Sequence, residues 1–382
     1  MRSVSIQPRT PSHCILRVAA TVLLAAFINV VAVAQSGEST VVSLVEPIRQ
    51  EHKLPALGAA LVTSKGLVLT GVAGVRKTGA DVPATIDDQW HLGSDTKAMT
   101  AVVLATFVER GKLTWESTLA ETFKDLAGTF PKDFSSITVT QLLSHYGGLP
   151  PNLNWRDVAS SSPSITEQRL NAVKRAASTK LSSPPGTKHE YSNLGYTIAG
   201  AVAERVGGQP WEALIQEIVF KPLGMTGCGF GGLGTPGKID QPWPHKADGK
   251  PEAQNGPAVD NPPVLGPAGT VHCSIADWSK FIADQLRGER GEGALLKTET
   301  YKALHTPRFG GGYAFGWGVT SRAWSGGVVF QHSGSNTMNF CVVWIAPLRD
   351  FAVLAVTNQG GTEAQEATDE AVSELILLHT RR

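Results

Sequence analysis

Gly93-Ser94-Asp95-Thr96-Lys97-Ala98-Met99-Thr100-Ala101-Val102-Val103-Leu104 is the stretch that decides how this chain is read. From Thr96 to Arg110 the residues are apolar nearly all round a helix, through Met99, Val102, Val103, Leu104, Phe107 and Val108, and Gly111 follows where a glycine cap belongs. Ser94 then stands at the N-terminus of a buried helix, with Lys97 three residues on and on the same face. A serine hydroxyl is a poor nucleophile until a base takes its proton, and lysine is a base only when its pKa falls from about 10.4. The apolar helix provides the burial that lowers it. The free amides of the helix start let the N–H of Ser94 face an oxyanion. Taken alone, S-x-x-K is a capping serine followed by a surface lysine.

Two further motifs remove that plain reading. Tyr191-Ser192-Asn193 comes 97 residues after Ser94, and His332-Ser333-Gly334 comes 141 after Tyr191. Tyr191 can lend a phenolic oxygen to the proton network, with Lys97 expected to lower its pKa, and Asn193 can hold an amide toward a substrate carbonyl. Asn193 also reads as the cap of the helix that follows. His332 ends an apolar strand, Gly334 lets the backbone come close to a ligand, and the amide of Ser335 is the natural second oxyanion donor. G-x-S-x-G is absent, which excludes the common lipase elbow.

The 382 residues are enough for a large core, and 42% hydrophobic with 18% charged residues is ordinary globular composition. Residues 1–34 carry Arg2, Arg9 and Arg17 and no acid, which leaves 31 basic against 33 acidic residues elsewhere, so nothing points to nucleic acid. That opening segment reads as an export signal. It has a basic start, an apolar run from Val18 to Val33 broken only by Thr21 and Asn29, and Ala32-Val33-Ala34 as a cleavage site, with a mature start near Gln35. An uncleaved membrane anchor is the alternative. The expected location is periplasmic or secreted, with membrane contact only through that segment.

Export leaves Cys228, Cys273 and Cys341 in a compartment that permits disulfides. Cys228–Cys273 is a conceivable bridge, while Cys341 lies inside the apolar run Phe340 to Ala346 and reads as a buried small hydrophobe. No C-x-x-C or H-E-x-x-H occurs, so neither a metal nor another cofactor is expected.

Residues 56–74 read as a β-hairpin turning at Ser64-Lys65-Gly66. A capping box from Ser164 to Glu167 opens a helix through Ala177, a second helix runs from Asn193 to Val206, and Pro210 starts a third. Proline and glycine dominate from Gly232 to Gly269, as in a long surface loop bordering the cleft. Strands return at Gly326–His332, Asn339–Ile345 and Phe351–Thr357, before a last helix with its box at Thr362 to Gln365. The expectation is an α/β chain of the α+β type. Residues 35–93 and 266–382 form an α/β part, and residues 94–265 are an inserted helical part.

With these residues in hand, the chain from about Val42 to Leu378 resembles the active-site-serine hydrolases related to class C β-lactamases and D-alanyl-D-alanine carboxypeptidases, and the esterases sharing their fold. Besides the three motifs, the resemblance rests on Leu142-Leu143-Ser144-His145-Tyr146-Gly147-Gly148-Leu149-Pro150, Lys221-Pro222-Leu223-Gly224-Met225 and Pro267-Ala268-Gly269. It implies a β-lactamase/transpeptidase-like fold, an antiparallel sheet flanked by the N- and C-terminal helices. It further implies Ser94 as the acylated nucleophile, Lys97 and Tyr191 as the acid/base pair, and Asn193, His332, Ser333 and Gly334 as substrate ligands. Class C β-lactamases carry lysine where this chain has His332, which resembles the carboxypeptidase branch. As an imidazolium, His332 would bind a substrate carboxylate. The implied activity is hydrolysis of D-alanyl peptides, β-lactams or related amides. The rivals are a carboxylesterase and a penicillin-binding sensor that does not turn over.

Overall fold

The computed structural model describes residues 37–381 together with Met1, so the expected signal segment and its cleavage site lie outside the described residues. Helix α1 (37–51) leads into β1 (Ala56–Thr63) and β2 (Gly66–Gly74). This is the hairpin expected from the sequence, with Gly66 at φ 117° in its turn. Next come β3 (Gln89–His91), α2 (Thr96–Glu109), α3 (Ile165–Ala177) and α4 (Asn193–Gly207). They are followed by β4 (Gly229–Phe230), β5 (Val271–Ser274) and α5 (Ile275–Glu289). The chain closes through β6 (Gly318–Arg322), β7 (Gly327–Ser335), β8 (Phe340–Ala346), β9 (Phe351–Thr357) and α6 (Thr362–Thr380).

Six strands form one antiparallel sheet in the order β2-β1-β9-β8-β7-β6. The two halves of the chain meet where β1 pairs with β9, with Ala59 opposite Ala355. These central strands are apolar without interruption because both of their faces are covered. Leu57, Ala59 and Leu61 point with Val353 and Ala355 into a core shared with Val41 and Val45 of α1 and Ala371 and Leu375 of α6. Ala56, Ala60 and Val62 point the other way with Leu354 and Val356, into a larger core that includes α2, α4 and α5. The antiparallel sheet flanked by terminal helices is therefore present as expected. Among the described residues no helix is long and apolar enough to cross a membrane.

Three local expectations give way to other contacts. Ser164 caps α3 by accepting from the Glu167 N–H at 3.4 Å, but the Glu167 carboxylate turns to the Ser162 hydroxyl instead of closing the box. Helix α6 starts after Gly361 with no side-chain cap, so Thr362 is already its first residue and no box forms with Gln365. Asn193 is not the cap of α4. Ser192 is, its Oγ accepting from the Gly195 N–H at 3.0 Å, which frees the Asn193 side chain.

Residues 232–262 run without helix or strand, yet they are pinned rather than draped over the surface, with Trp243, His245 and Asn255 buried. The His245 ring bridges the Asn358 carbonyl, at 2.9 Å from Nδ1, and the Thr78 N–H, at 3.0 Å from Nε2. At its two ends, Cys228 and Cys273 form a disulfide, as the sequence allowed. Strands β3, β4 and β5 make a second small sheet. They escape sequence reading because strands of two to four residues show no alternation to detect.

Candidate active site

Helix α2 is buried on every side from Thr96 to Phe107, and this puts a lysine in the interior. Thr100 donates to the Pro267 carbonyl at 2.8 Å and Thr96 accepts from the Val271 N–H at 3.2 Å, so polar side chains on α2 bind it to the segment 266–271. Ser94 precedes the helix in a single 3-10 turn, Gly93–Asp95, and is half-buried. Gly93 has φ 47°, and a Cβ there would lie 2.3 Å from the Ser335 amide nitrogen. A Cβ on Gly334 would fall 1.9 Å from the Leu92 carbonyl oxygen. Only two glycines allow the end of β7 to reach the serine turn.

Lys97 Nζ has three hydrogen-bond partners, Ser94 Oγ at 3.0 Å, Asn193 Oδ1 at 2.9 Å and the Ala268 carbonyl at 2.7 Å. Asn193 Oδ1 and the Ala268 carbonyl can only accept. A neutral amine has two protons and one lone pair, so those two acceptors take both protons and leave the lone pair to the hydroxyl of Ser94. Burial lowers the Lys97 pKa to about 7, against the opposing pull of the Asp95 carboxylate. Asp95 is itself buried, which raises its pKa to about 7, while a hydrogen bond from the Cys341 thiol at 3.1 Å works the other way. Cys341 is free and buried, as its apolar surroundings predicted.

Tyr191 is 36% exposed, but its hydroxyl end lies against Ser94. The phenol is pushed up above its ordinary range, chiefly by burial, with the Ser94 contact opposing and Asp95 adding to the rise. This reverses the expectation that Lys97 would lower it, and Tyr191 keeps its proton at neutral pH. The Lys97 ammonium position is 4.8 Å from the centre of the Tyr191 ring.

The cleft beside Ser94, about 200 Å³, is lined by Asn152, Trp155, Asn193, Asn261, Leu265, Ala268, Gly269, Ser335, Asn336 and Thr337. Ser335 thus lines the same cleft as Ser94. Asn193 lines the cleft too, but its carbonyl oxygen is held by Lys97 and its Nδ2 donates to Asn152 Oδ1 at 3.1 Å. The structure brings Ser94, Lys97, Tyr191, Asn193 and Ser335 together.

His332, Ser333 and Gly334 stand differently. His332 is buried, with Nε2 3.1 Å from the Tyr313 hydroxyl and Nδ1 2.8 Å from the Ser333 carbonyl, and it is absent from the cleft lining. Burial and the charge of Lys97 hold its pKa down to about 3 despite that carbonyl. His332 is thus a neutral ring behind the site, not the imidazolium that would bind a carboxylate. Ser333 is exposed on the same face of β7 as Ser335, yet it is not among the residues that line the cleft. Gly334 meets the Leu92 backbone rather than a ligand.

Sequence reading missed Asn152, Trp155, Asn261, Asn336 and Thr337 in the cleft, and Tyr313 behind it. None belongs to a pattern of fixed spacing, because they arrive on four separate segments, at Asn152 and Trp155, at Asn261, at Tyr313, and at Asn336-Thr337. Only Asn336 and Thr337, directly after H-S-G-S, carried a positional hint.

The fold has close counterparts among solved structures. One is the octameric penicillin-binding protein homologue from Pyrococcus abyssi, with TM-score 0.71 and 21% identity over 89% of this chain and 77% of that one. Another is the D-alanine carboxypeptidase AmpC from Burkholderia cenocepacia, with TM-score 0.69 and 18% identity over 89% of this chain and 99% of that one. At such identities the likeness speaks for the fold alone. Penicillin-binding protein 4 of Amycolatopsis lactamdurans is 25% identical over 340 residues, 85% of this chain and 86% of that protein. Matches to other curated relatives span as little as 36% of their length. Residues 41–377 match the Beta-lactamase family in one continuous stretch that contains every element of the site, and the chain belongs to that family and to its general class of serine hydrolases.

Proposed function

We propose that the chain is an exported serine hydrolase that works through an acyl-enzyme on Ser94. The observation that carries this is the Lys97 amine, buried and held by two fixed acceptors so that its remaining position faces Ser94 Oγ at 3.0 Å. Lys97 takes the hydroxyl proton as Oγ attacks the carbonyl carbon. The N–H groups of Ser94 and Ser335 receive the oxyanion. Tyr191, protonated and next to Ser94, passes its proton to the leaving group and is reprotonated from Lys97. Water then cleaves the Ser94 ester by the same steps in reverse. The Cys228–Cys273 disulfide supports export, since such bonds persist in oxidising compartments.

For the substrate, the curated penicillin-binding and putative D-alanyl-D-alanine carboxypeptidase relatives favour amide bonds of D-alanyl peptides or β-lactams. A specific observation favours a second reading, carboxyl ester hydrolysis. Among the described residues no charged side chain lines the cleft, and His332 is neutral, so beyond Lys97 behind Ser94 a free substrate carboxylate finds no cation among them there. Steady-state rates on a chromogenic cephalosporin, a D-alanyl-D-alanine peptide and a p-nitrophenyl ester separate these readings, and a dominant rate names the class. Labelling without turnover on any of them would mark a penicillin-binding sensor instead. Mass spectrometry of the trapped adduct should find it on Ser94, and Ser94→Ala should lose about 10⁶ in rate. An adduct elsewhere, or full labelling of the alanine variant, would end the proposal.

A further inference from the structure

His145 is 2% exposed and has no part in the steps above. It has φ 63°, in the left-handed region that non-glycine residues seldom occupy, just after the short helix Val139–Leu143. From there it holds the chain on both sides of Tyr191. Its ring Nδ1 accepts the Ser192 N–H at 3.1 Å, and its backbone carbonyl accepts the Glu190 N–H at 2.9 Å. Its imidazole lies over Tyr191 itself, with ring centres 4.3 Å apart and planes at 40°. Behind it, Tyr313 and Tyr196 lie at 4.6 Å and 5.2 Å between ring centres and leave the imidazole little freedom to turn.

We propose that His145 is a positioning residue, which sets the Tyr191 phenol against Ser94 through the Nδ1 hydrogen bond to Ser192 and the ring contact. The proposal rests on the reading of Ser94 as nucleophile and Tyr191 as its proton donor. Accepting at Nδ1 requires a neutral ring with its proton on Nε2. The surroundings enforce that state. Burial and then the charge of Lys97 hold His145 well below the usual histidine range. Nε2 is buried with no hydrogen-bond partner, a desolvation cost that an apolar ring of the same shape would avoid. What the imidazole adds over such a ring is the acceptor at Nδ1.

The test compares the full-length proteins His145→Asn, His145→Gln, Tyr191→Phe and the His145→Gln/Tyr191→Phe pair. The readouts are the rate of fluorophosphonate labelling and kcat and KM on p-nitrophenyl butyrate. Asparagine carries its carbonyl oxygen on Cγ, where Nδ1 is attached, whereas glutamine carries its amide one carbon farther out. His145→Gln should lose about 10²-fold in kcat with little change in KM, the scale set by misplacing a proton donor by an ångström. His145→Asn should recover to within about tenfold of wild type. In the Tyr191→Phe background, His145→Gln should cost less than about threefold, because a residue that acts through Tyr191 has nothing left to position. If His145→Gln does not fold, His145→Phe, which keeps a ring and loses the acceptor, replaces it. Wild-type rates in His145→Gln, an undiminished loss in the Tyr191→Phe background, or no rescue by asparagine would overturn the proposal. So would wild-type rates in Tyr191→Phe, by removing the group being positioned. Ser94→Ala separates the two levels: labelling that survives it refutes the site itself, while labelling that requires Ser94 leaves only His145 under test.

Discussion

At the scale of single residues, the site depends on a lysine that can give up its charge. Arginine would keep the charge and lose the base, since its pKa stays above 12 in proteins. Lys97→Arg should therefore fall well below a tenth of wild-type kcat, more than about 1.4 kcal/mol of barrier. Retention above that mark would assign Lys97 a purely electrostatic role. Because the working form is the neutral amine, kcat/KM should rise with pH through about 7, where burial places Lys97, and level off above it. Asp95 opposes that lowering, so Asp95→Asn removes a negative charge that favours the ammonium and should move the rise to lower pH. A rise that stays put or moves upward in a pH series of the two proteins would contradict this assignment.

At the scale of elements, the helices that carry Lys97 and Asn193 need a rigid neighbourhood, and much of it converges on Arg169. This fully buried guanidinium of α3 reaches Glu204 of α4 at 2.6 Å, Glu212 beyond that helix, and the Pro263 carbonyl at 2.9 Å next to the cleft segment. Removing one member of such a cluster strands the opposite charges away from water. Arg169→Ala should lower unfolding free energy by about 3–5 kcal/mol, measured by urea titration. A loss below about 1 kcal/mol would place the cluster among surface-type pairs.

At the scale of the whole molecule, the connection between Cys228 and Cys273, which are 45 positions apart, contributes Asn261, Leu265, Ala268 and Gly269 to the cleft while having little secondary structure of its own. The disulfide closes that connection, and for a loop of this length the chain-entropy estimate is about 4 kcal/mol. Cys228→Ser/Cys273→Ser should unfold at correspondingly lower denaturant concentration, as should the wild type once reduced. Equal midpoints for oxidised and reduced protein would show that His245, Trp243 and the other anchors hold the segment alone.

The sequence by itself determined what short-range physics can encode. The uninterrupted apolar helix after Ser94 fixed the burial of Lys97, and S-x-x-K fixed its place one turn along the same face. Alternation and glycine punctuation likewise fixed the hairpin at residues 56–74 and the strands β7, β8 and β9, and the three motifs in order gave the family. Tertiary structure alone decided which groups share a proton and which face the substrate. Periodicity ends the strand at His332, but β7 runs on to Ser335, and only burial of the ring beside Tyr313, with the charge of Lys97 nearby, keeps it neutral. Likewise, nothing local reveals that burial raises the Tyr191 phenol, or that Ser192 rather than Asn193 caps α4 and so frees the amide for Lys97. The reason is physical: a pKa and a hydrogen-bond partner depend on every charge and void within several ångströms, and those neighbours come from loops far apart in the chain.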